Sequence, residues 1–203
     1  RSTLFPYTTL FRSGEADDDI LSYIQLHPPK MVVMGIRGED AKSGDLIGTT
    51  TAAVIFNTRV PVLTITENTT SEWLNNFKTV AYATNFESAD FIAMDRLIKL
   101  VKPFGCKVIC LHVNSGNNGE LDEAMLEGMK EALVEKYPYA AFDCRLVHSS
   151  NLPEALDKFI KDNHIDALAV TTHRRNLITR LFNPSIAHKM IIHTQTPVLV
   201  FHA

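Results

Sequence analysis

Three glycines and a threonine have the spacing that points most directly to chemistry in this 203-residue chain. Gly35 follows the apolar run of residues 31–34. Gly38 follows after two intervening residues, and Gly48 with Thr49 after nine more. Without a Cβ, glycine lets backbone N–H groups come close to a phosphate. Gly48 and Thr49 would open a helix, whose free N–H groups and dipole favour an anion. Thr49 adds a hydroxyl donor. No Gly-Lys-Ser/Thr follows, so this is not a Walker A loop, and the Rossmann fingerprint is absent too. A plain turn would use glycine in the same places, and spacing alone does not separate the two readings.

An internal repeat supplies the frame for these residues. Placing Pro61, Val62 and Leu63 on Pro197, Val198 and Leu199 aligns the two ends of the chain without a gap. Ile55 then meets Ile191, Thr58 meets Thr194, and Ile24 meets Ile160. A repeat of this kind sets the architecture before any single element does.

The second copy alternates strand and helix patterns. Strands are expected at 78–84, 106–113, 141–148, 165–171 and 197–201. A helix over 87–102 carries Phe91, Met94, Leu97, Ile98 and Val101 on one stripe and ends at Pro103 and Gly105. A second over 120–136 carries Leu121, Met125, Met129 and Leu133. Asn151 and Glu154 form a capping pair for a third. Asn183 and Pro184 suit the start of a last one. In the first copy, strand 31–34 precedes the glycines. Apolar strands separated by helices imply a doubly wound parallel α/β sheet with helices on both faces. Ligands in such folds sit beyond the carboxyl ends of the strands. Residues 84–87, 112–115 and 171–175 therefore surround one candidate crevice.

Composition bounds the rest. The chain is 45% apolar and 21% charged, which suits a folded core rather than disorder. The net charge of -3 leaves no basic footprint for nucleic acid. No apolar run reaches the roughly 18–20 residues of a membrane-spanning helix. Three cysteines do not make a disulfide framework, and a reducing cytoplasmic location is expected. Residues 1–13 resemble the in-frame translation of a short-read sequencing adapter and are expected to be non-native. The expected organisation is the closing half of a first unit at 14–65, a linker with a short helix at 66–76, and a complete second unit at 77–203. Trp73, in the linker, is expected to pack where the units meet.

The glycine spacing, the Pro-Val-Leu closing strands and the Leu-His-Val run at 111–113 together resemble the universal stress protein family, over residues 14–203. The resemblance implies a five-stranded parallel sheet in the order 3-2-1-4-5. It implies closing strands that pair antiparallel, between copies of one chain or between chains. It further implies a cytoplasmic nucleotide-binding regulatory or stress-response protein, with ATP phosphates held at Gly35, Gly38, Gly48 and Thr49; a role for Mg2+ stays open. In the second copy Thr171, Arg174 and Pro184 stand at the glycine positions, and only Ser185 keeps the Ser/Thr. Asn85 stands where the family usually has Asp. Asn85, His112, Thr171, Arg174 and Ser185 are thus the second copy's candidate ligand residues.

Other readings compete for single residues. His173, Arg174 and Arg175 could clamp an anion by charge, or form a solvated basic loop. His112, His148 and His173 could suggest zinc, but no further ligand stands at a suitable spacing. Cys106 and Cys110 share a strand face and read as small core residues, as does Cys144. Asp17, Asp18 and Asp19 complement a helix N-terminus. No nucleophile–base motif is present, so a non-enzymatic role is expected. The alternatives are an interaction or dimerisation module without nucleotide and an ATP-using enzyme of the adenine-nucleotide alpha-hydrolase-like group.

Overall fold

The computed structural model describes residues 16–36, 48–66, 69–116, 119–171 and 196–202. The first copy supplies α1 (Ala16–Leu26), β1 (Val32–Gly35), α2 (Thr49–Asn57) and β2 (Val62–Ile65). The short α3 (Ser71–Asn75) follows. The second copy runs β3 (Thr79–Ala83), α4 (Ser88–Val101), β4 (Lys107–Asn114), α5 (Gly119–Lys136), β5 (Ala141–His148), α6 (Leu152–Asp162), β6 (Ala167–Thr171) and β7 (Val198–Phe201). The helix expected at Asn183 and Pro184 lies outside the described residues.

The described strands form one seven-stranded sheet in the order β1-β2-β7-β6-β3-β4-β5. Read alone, the second copy has the expected 3-2-1-4-5 order, all parallel. Its inner strands β3, β6 and β7 are mostly buried on both faces because helices cover both, whereas the edge strand β5 carries Asp143 and Arg145.

The repeat is visible in the hydrogen-bond register. Val32 pairs with Val62 as Leu168 pairs with Val198, and Gly35 with Ile65 as Thr171 with Phe201. Val32 N donates to Pro61 O at 2.8 Å, and Leu168 N to Pro197 O at 3.0 Å. The two copies meet where β2 and β7 pair antiparallel. Leu63 faces Leu199, flanked by Val62–Val200 on one side and Thr64–Val198 on the other. That pattern is symmetric about the leucine pair, a local two-fold axis.

Two apolar layers sandwich the sheet. One joins α1, α2 and α6 to it through Ile24, Val54, Ile55, Leu156 and Phe159. The other joins α4 and α5 through Met94, Leu97, Met129 and Leu133. Trp73 packs against this second layer and donates from Nε1 to Asp166 O at 3.0 Å, which fastens α3 to the second copy. Asp17, Asp18 and Asp19 do occupy the first turn of α1. Cys106 and Cys110 are both buried in the second layer, with Cys144 partly buried against it.

Two expected helix faces need correction. On α5, Leu121 and Met125 are exposed, and the buried row is Leu126, Met129 and Leu133. A strict four-residue spacing drifts about 40° per step on a helix of 3.6 residues per turn, so it spirals away from the core. On α4, Phe91 is exposed because its neighbour Asp90 takes the inward position in the first turn. Gly105 ends the turn after α4 at φ 62, a left-handed conformation that suits glycine. No helix among the described residues is long and apolar enough to cross a membrane.

Candidate functional site

The carboxyl ends of β3, β4 and β5 open on a cavity of about 400 Å³. Thr84 and Asn85 line it from the end of β3, and His112, Asn114, Ser115 and Gly116 from the end of β4. Asp122 of α5 and the hydroxyl-bearing Ser149 and Ser150 complete the polar wall. Parallel pairing puts these ends together. The ladder continues beyond the strands, with Thr84 N donating to Leu111 O and Ser149 N to Asn114 O, each at 2.9 Å.

His112 is held from two sides. Its Nδ1 lies 2.9 Å from Thr84 O, and a carbonyl only accepts, so Nδ1 carries the proton. Its Nε2 faces Asp122 Oδ2 at 3.4 Å. Asn114 donates from Nδ2 to the same Asp122 oxygen. The His112 ring sits 4.5 Å, centroid to centroid, from the ring of Phe86. Phe86 has φ 65, and a non-glycine residue in that region costs about 1–2 kcal/mol. The strain lies in the β3–α4 loop beside Asn85, where backbone departures from common geometry often accompany function.

A buried carboxylate organises that loop. Asp90 Oδ2 accepts from Asn85 N at 2.8 Å, Thr84 Oγ1 at 3.0 Å and Glu87 N at 3.2 Å. Asp90 Oδ1 accepts from Tyr82 Oη at 2.8 Å and Thr171 Oγ1 at 3.1 Å. Asp90 and Glu87 also form a capping box at the start of α4. Burial, reinforced by the Asp90 charge, holds the Tyr82 hydroxyl well above the usual phenol range, so it stays a donor.

The sequence candidates therefore separate. Asn85 and His112 both line the cavity. Thr171 ends β6 nearby, but its hydroxyl is turned to Asp90. Gly38, Arg174 and Ser185 lie outside the described residues. Gly35 closes β1, Gly48 is the N-cap of α2, and Thr49 is the first residue of that helix. Gly48 has φ -64 and ψ 147, a conformation open to any residue. Gly48 N donates to Ile36 O at 2.8 Å, and Thr51 Oγ1 to Gly35 O at 2.9 Å. Because β2 and β7 are antiparallel, the carboxyl ends of β1 and β2 point to the edge of the sheet opposite the cavity. Gly35 therefore lies at the end of the sheet opposite the cavity.

Sequence reasoning missed Asp90 and Asp122; Asn114 fell within the expected 112–115 crevice segment but was not singled out. The Glu87–Asp90 spacing was the available signal for the first, as a capping box. Nothing local marks Asp122, which meets Asn114 only when α5 packs beside β4. Among the described residues no three His, Cys, Asp or Glu side chains group to hold a metal.

A family model described as the universal stress protein family matches residues 6–66 and 76–202. The structure of a universal stress protein from Archaeoglobus fulgidus DSM 4304 covers 92% of this chain with a TM-score of 0.67 at 16% identity. The chain spans 64% of that protein's length. A putative universal stress protein from Pseudomonas aeruginosa UCBPP-PA14 covers 90% of the chain with a TM-score of 0.60 at 10% identity, and the chain spans 66% of its length. No curated protein matches the chain.

Proposed function

The chain belongs to the universal stress protein family, and we propose that it is a non-enzymatic regulatory protein of the cytoplasm that binds an adenine nucleotide. The observation that carries this reading is the polar cavity of about 400 Å³ beyond β3 and β4. Its volume falls within the range of small-molecule sites, roughly 300–1,000 Å³. Its wall offers amide and hydroxyl groups from Asn85, Asn114, Ser149 and Ser150, which suit a base and a ribose. The Asp122 carboxylate accepts from amino and hydroxyl donors and repels phosphate. Phosphate charge would have to be met by the 172–175 segment, where Arg174 replaces a glycine. We also propose two units, a closing half at 14–65 and a complete unit at 77–203, joined by 66–76. In the first, Gly35, Gly38, Gly48 and Thr49 would form a separate phosphate cradle on the opposite edge.

A second reading, an interaction module without nucleotide, draws on Thr171. A Cβ stands there where the motif has glycine, and the hydroxyl is committed to Asp90. Titration calorimetry of the full chain with ATP and AMP separates the readings. Binding that His112→Leu abolishes and Gly48→Glu spares assigns the nucleotide to the cavity; the reverse assigns it to the first copy. No heat, and no thermal shift at millimolar ATP, supports the interaction module.

A further inference from the structure

Cys110 on β4 and Cys144 on β5 are facing partners in the parallel register. Both side chains point into the layer beneath α5. Neighbouring strands run about 4.8 Å apart, inside the Cα separation of roughly 4.4–6.8 Å that a disulfide spans. Cys110 is buried, whereas Cys144 is partly exposed. An attacking thiol must be reached from solvent, and a resolving thiol must be adjacent to it. The pair divides those roles by position.

We propose that Cys110 and Cys144 form a dithiol that hydroperoxides oxidise reversibly to an intramolecular disulfide. The Cys144 thiolate attacks one peroxide oxygen, the O–O bond breaks, and the departing oxygen leaves as water or alcohol after taking a proton. Cys144 is then a sulfenic acid. The Cys110 sulfur attacks Sγ of Cys144, the S–O bond breaks, and the Cys110 proton leaves with the hydroxyl as water. Two thiols have lost two electrons and the peroxide has gained them.

The thiols' environments fit this order. The contact between them favours the thiolate at Cys144, which lies below the ordinary thiol range despite partial burial, with Lys130 assisting. The same contact, with burial, holds Cys110 as a thiol well above that range. Side chains on facing parallel strands stand about a strand spacing apart, wider than the roughly 3.8 Å Cβ separation a relaxed disulfide prefers. The bond is therefore strained and easily reduced. Cys106, two residue pairs earlier on the same face, is about 13 Å away along the strand. It donates to Phe77 O at 3.5 Å, and burial pushes its pKa up to about 11. It serves as an internal control.

The test is peptide mapping of the folded full chain after hydrogen peroxide treatment, denaturation and maleimide blocking. The expected map shows a cross-link between the Cys110 and Cys144 peptides, Cys106 still alkylated, and full reversal by dithiothreitol. Cys110→Ser should leave Cys144 as a dimedone-reactive sulfenic acid, and Cys144→Ser should leave Cys110 unoxidised. A wild-type map in which Cys106 is consumed as fast as Cys144 overturns the proposal. So does one in which Cys144 passes to sulfinic acid without the cross-link. The wild-type map decides alone should a variant fail to fold.

Discussion

Thr171 Oγ1 donates to Asp90 Oδ1 at 3.1 Å, tying the last residue of β6 to the first turn of α4 across 81 residues of sequence. Thr171 occupies the place that Gly35 holds in the first copy, and its register partner Phe201 matches Ile65. A position suited to close approach in one copy has become a structural anchor in the other. The same carboxylate fixes Asn85, so one buried side chain ties the end of β6 to the β3–α4 loop that lines the cavity.

Asp90→Ala should be strongly destabilising. It strands the Tyr82, Thr84 and Thr171 hydroxyls and two backbone N–H groups in a nearly closed space. Each buried unpaired group costs about 1–3 kcal/mol, and water can rescue some of them. A loss of about 3 kcal/mol or more is expected in urea unfolding. A loss under about 1 kcal/mol would show that the network carries no such weight.

The corrected face of α5 gives a paired expectation. Met129 is buried and Leu121 is exposed. Met129→Ala should cost about 2–5 kcal/mol, and Leu121→Ala should stay within about 0.5 kcal/mol. Equal costs in thermal or urea unfolding would return the helix to the face that its four-residue spacing suggested.

Acid should weaken the α4–α5 contact. Asp95 accepts from Lys136 Nζ at 2.8 Å and Lys99 Nζ at 2.6 Å, and from the Tyr137 hydroxyl. These bonds, Lys136 first, hold its carboxyl well below the usual range. A carboxyl depressed on folding stabilises above its unfolded pKa, about 3.9. That stability is lost as pH falls through the folded value. Wild type should exceed Asp95→Asn by about 0.5–1 kcal/mol at pH 7, with the gap closing below about pH 4. A gap that stays constant from pH 7 to strong acid in parallel melting curves would sink this.

Cys106 should alkylate slowly at neutral pH. Its pKa of about 11 reflects burial, and only the thiolate reacts. The iodoacetamide rate at Cys106, followed by peptide mass in protein that stays folded, should climb until about pH 11. A plateau near pH 9 would mean an ordinary thiol.

Much of the fold was legible because parallel strands buried on both faces read as short apolar runs, as residues 108–111 and 167–170 do. The repeat was legible because Pro61 and Pro197 each precede a closing strand. Helix faces were less so: a row of Leu121, Met125, Met129 and Leu133 satisfies the eye, but the helical period rejects it. The cavity was half legible. Asn85 and His112 end strands, where a doubly wound sheet places ligands. Asp122 reaches His112 and Asn114 only through the docking of α5 on β4, a tertiary relation that no local pattern encodes. Asp90 hid behind its surroundings, since a lone acid at a helix start usually faces water.

The leucine-centred seam has one further consequence. It turns one copy over relative to the other, so the strand end that carries Gly35 and the strand ends that carry the amides and hydroxyls of the cavity lie on opposite edges of the sheet. On the proposed reading, a molecule seated in the cavity would leave the end of the sheet that carries Gly35 uncovered.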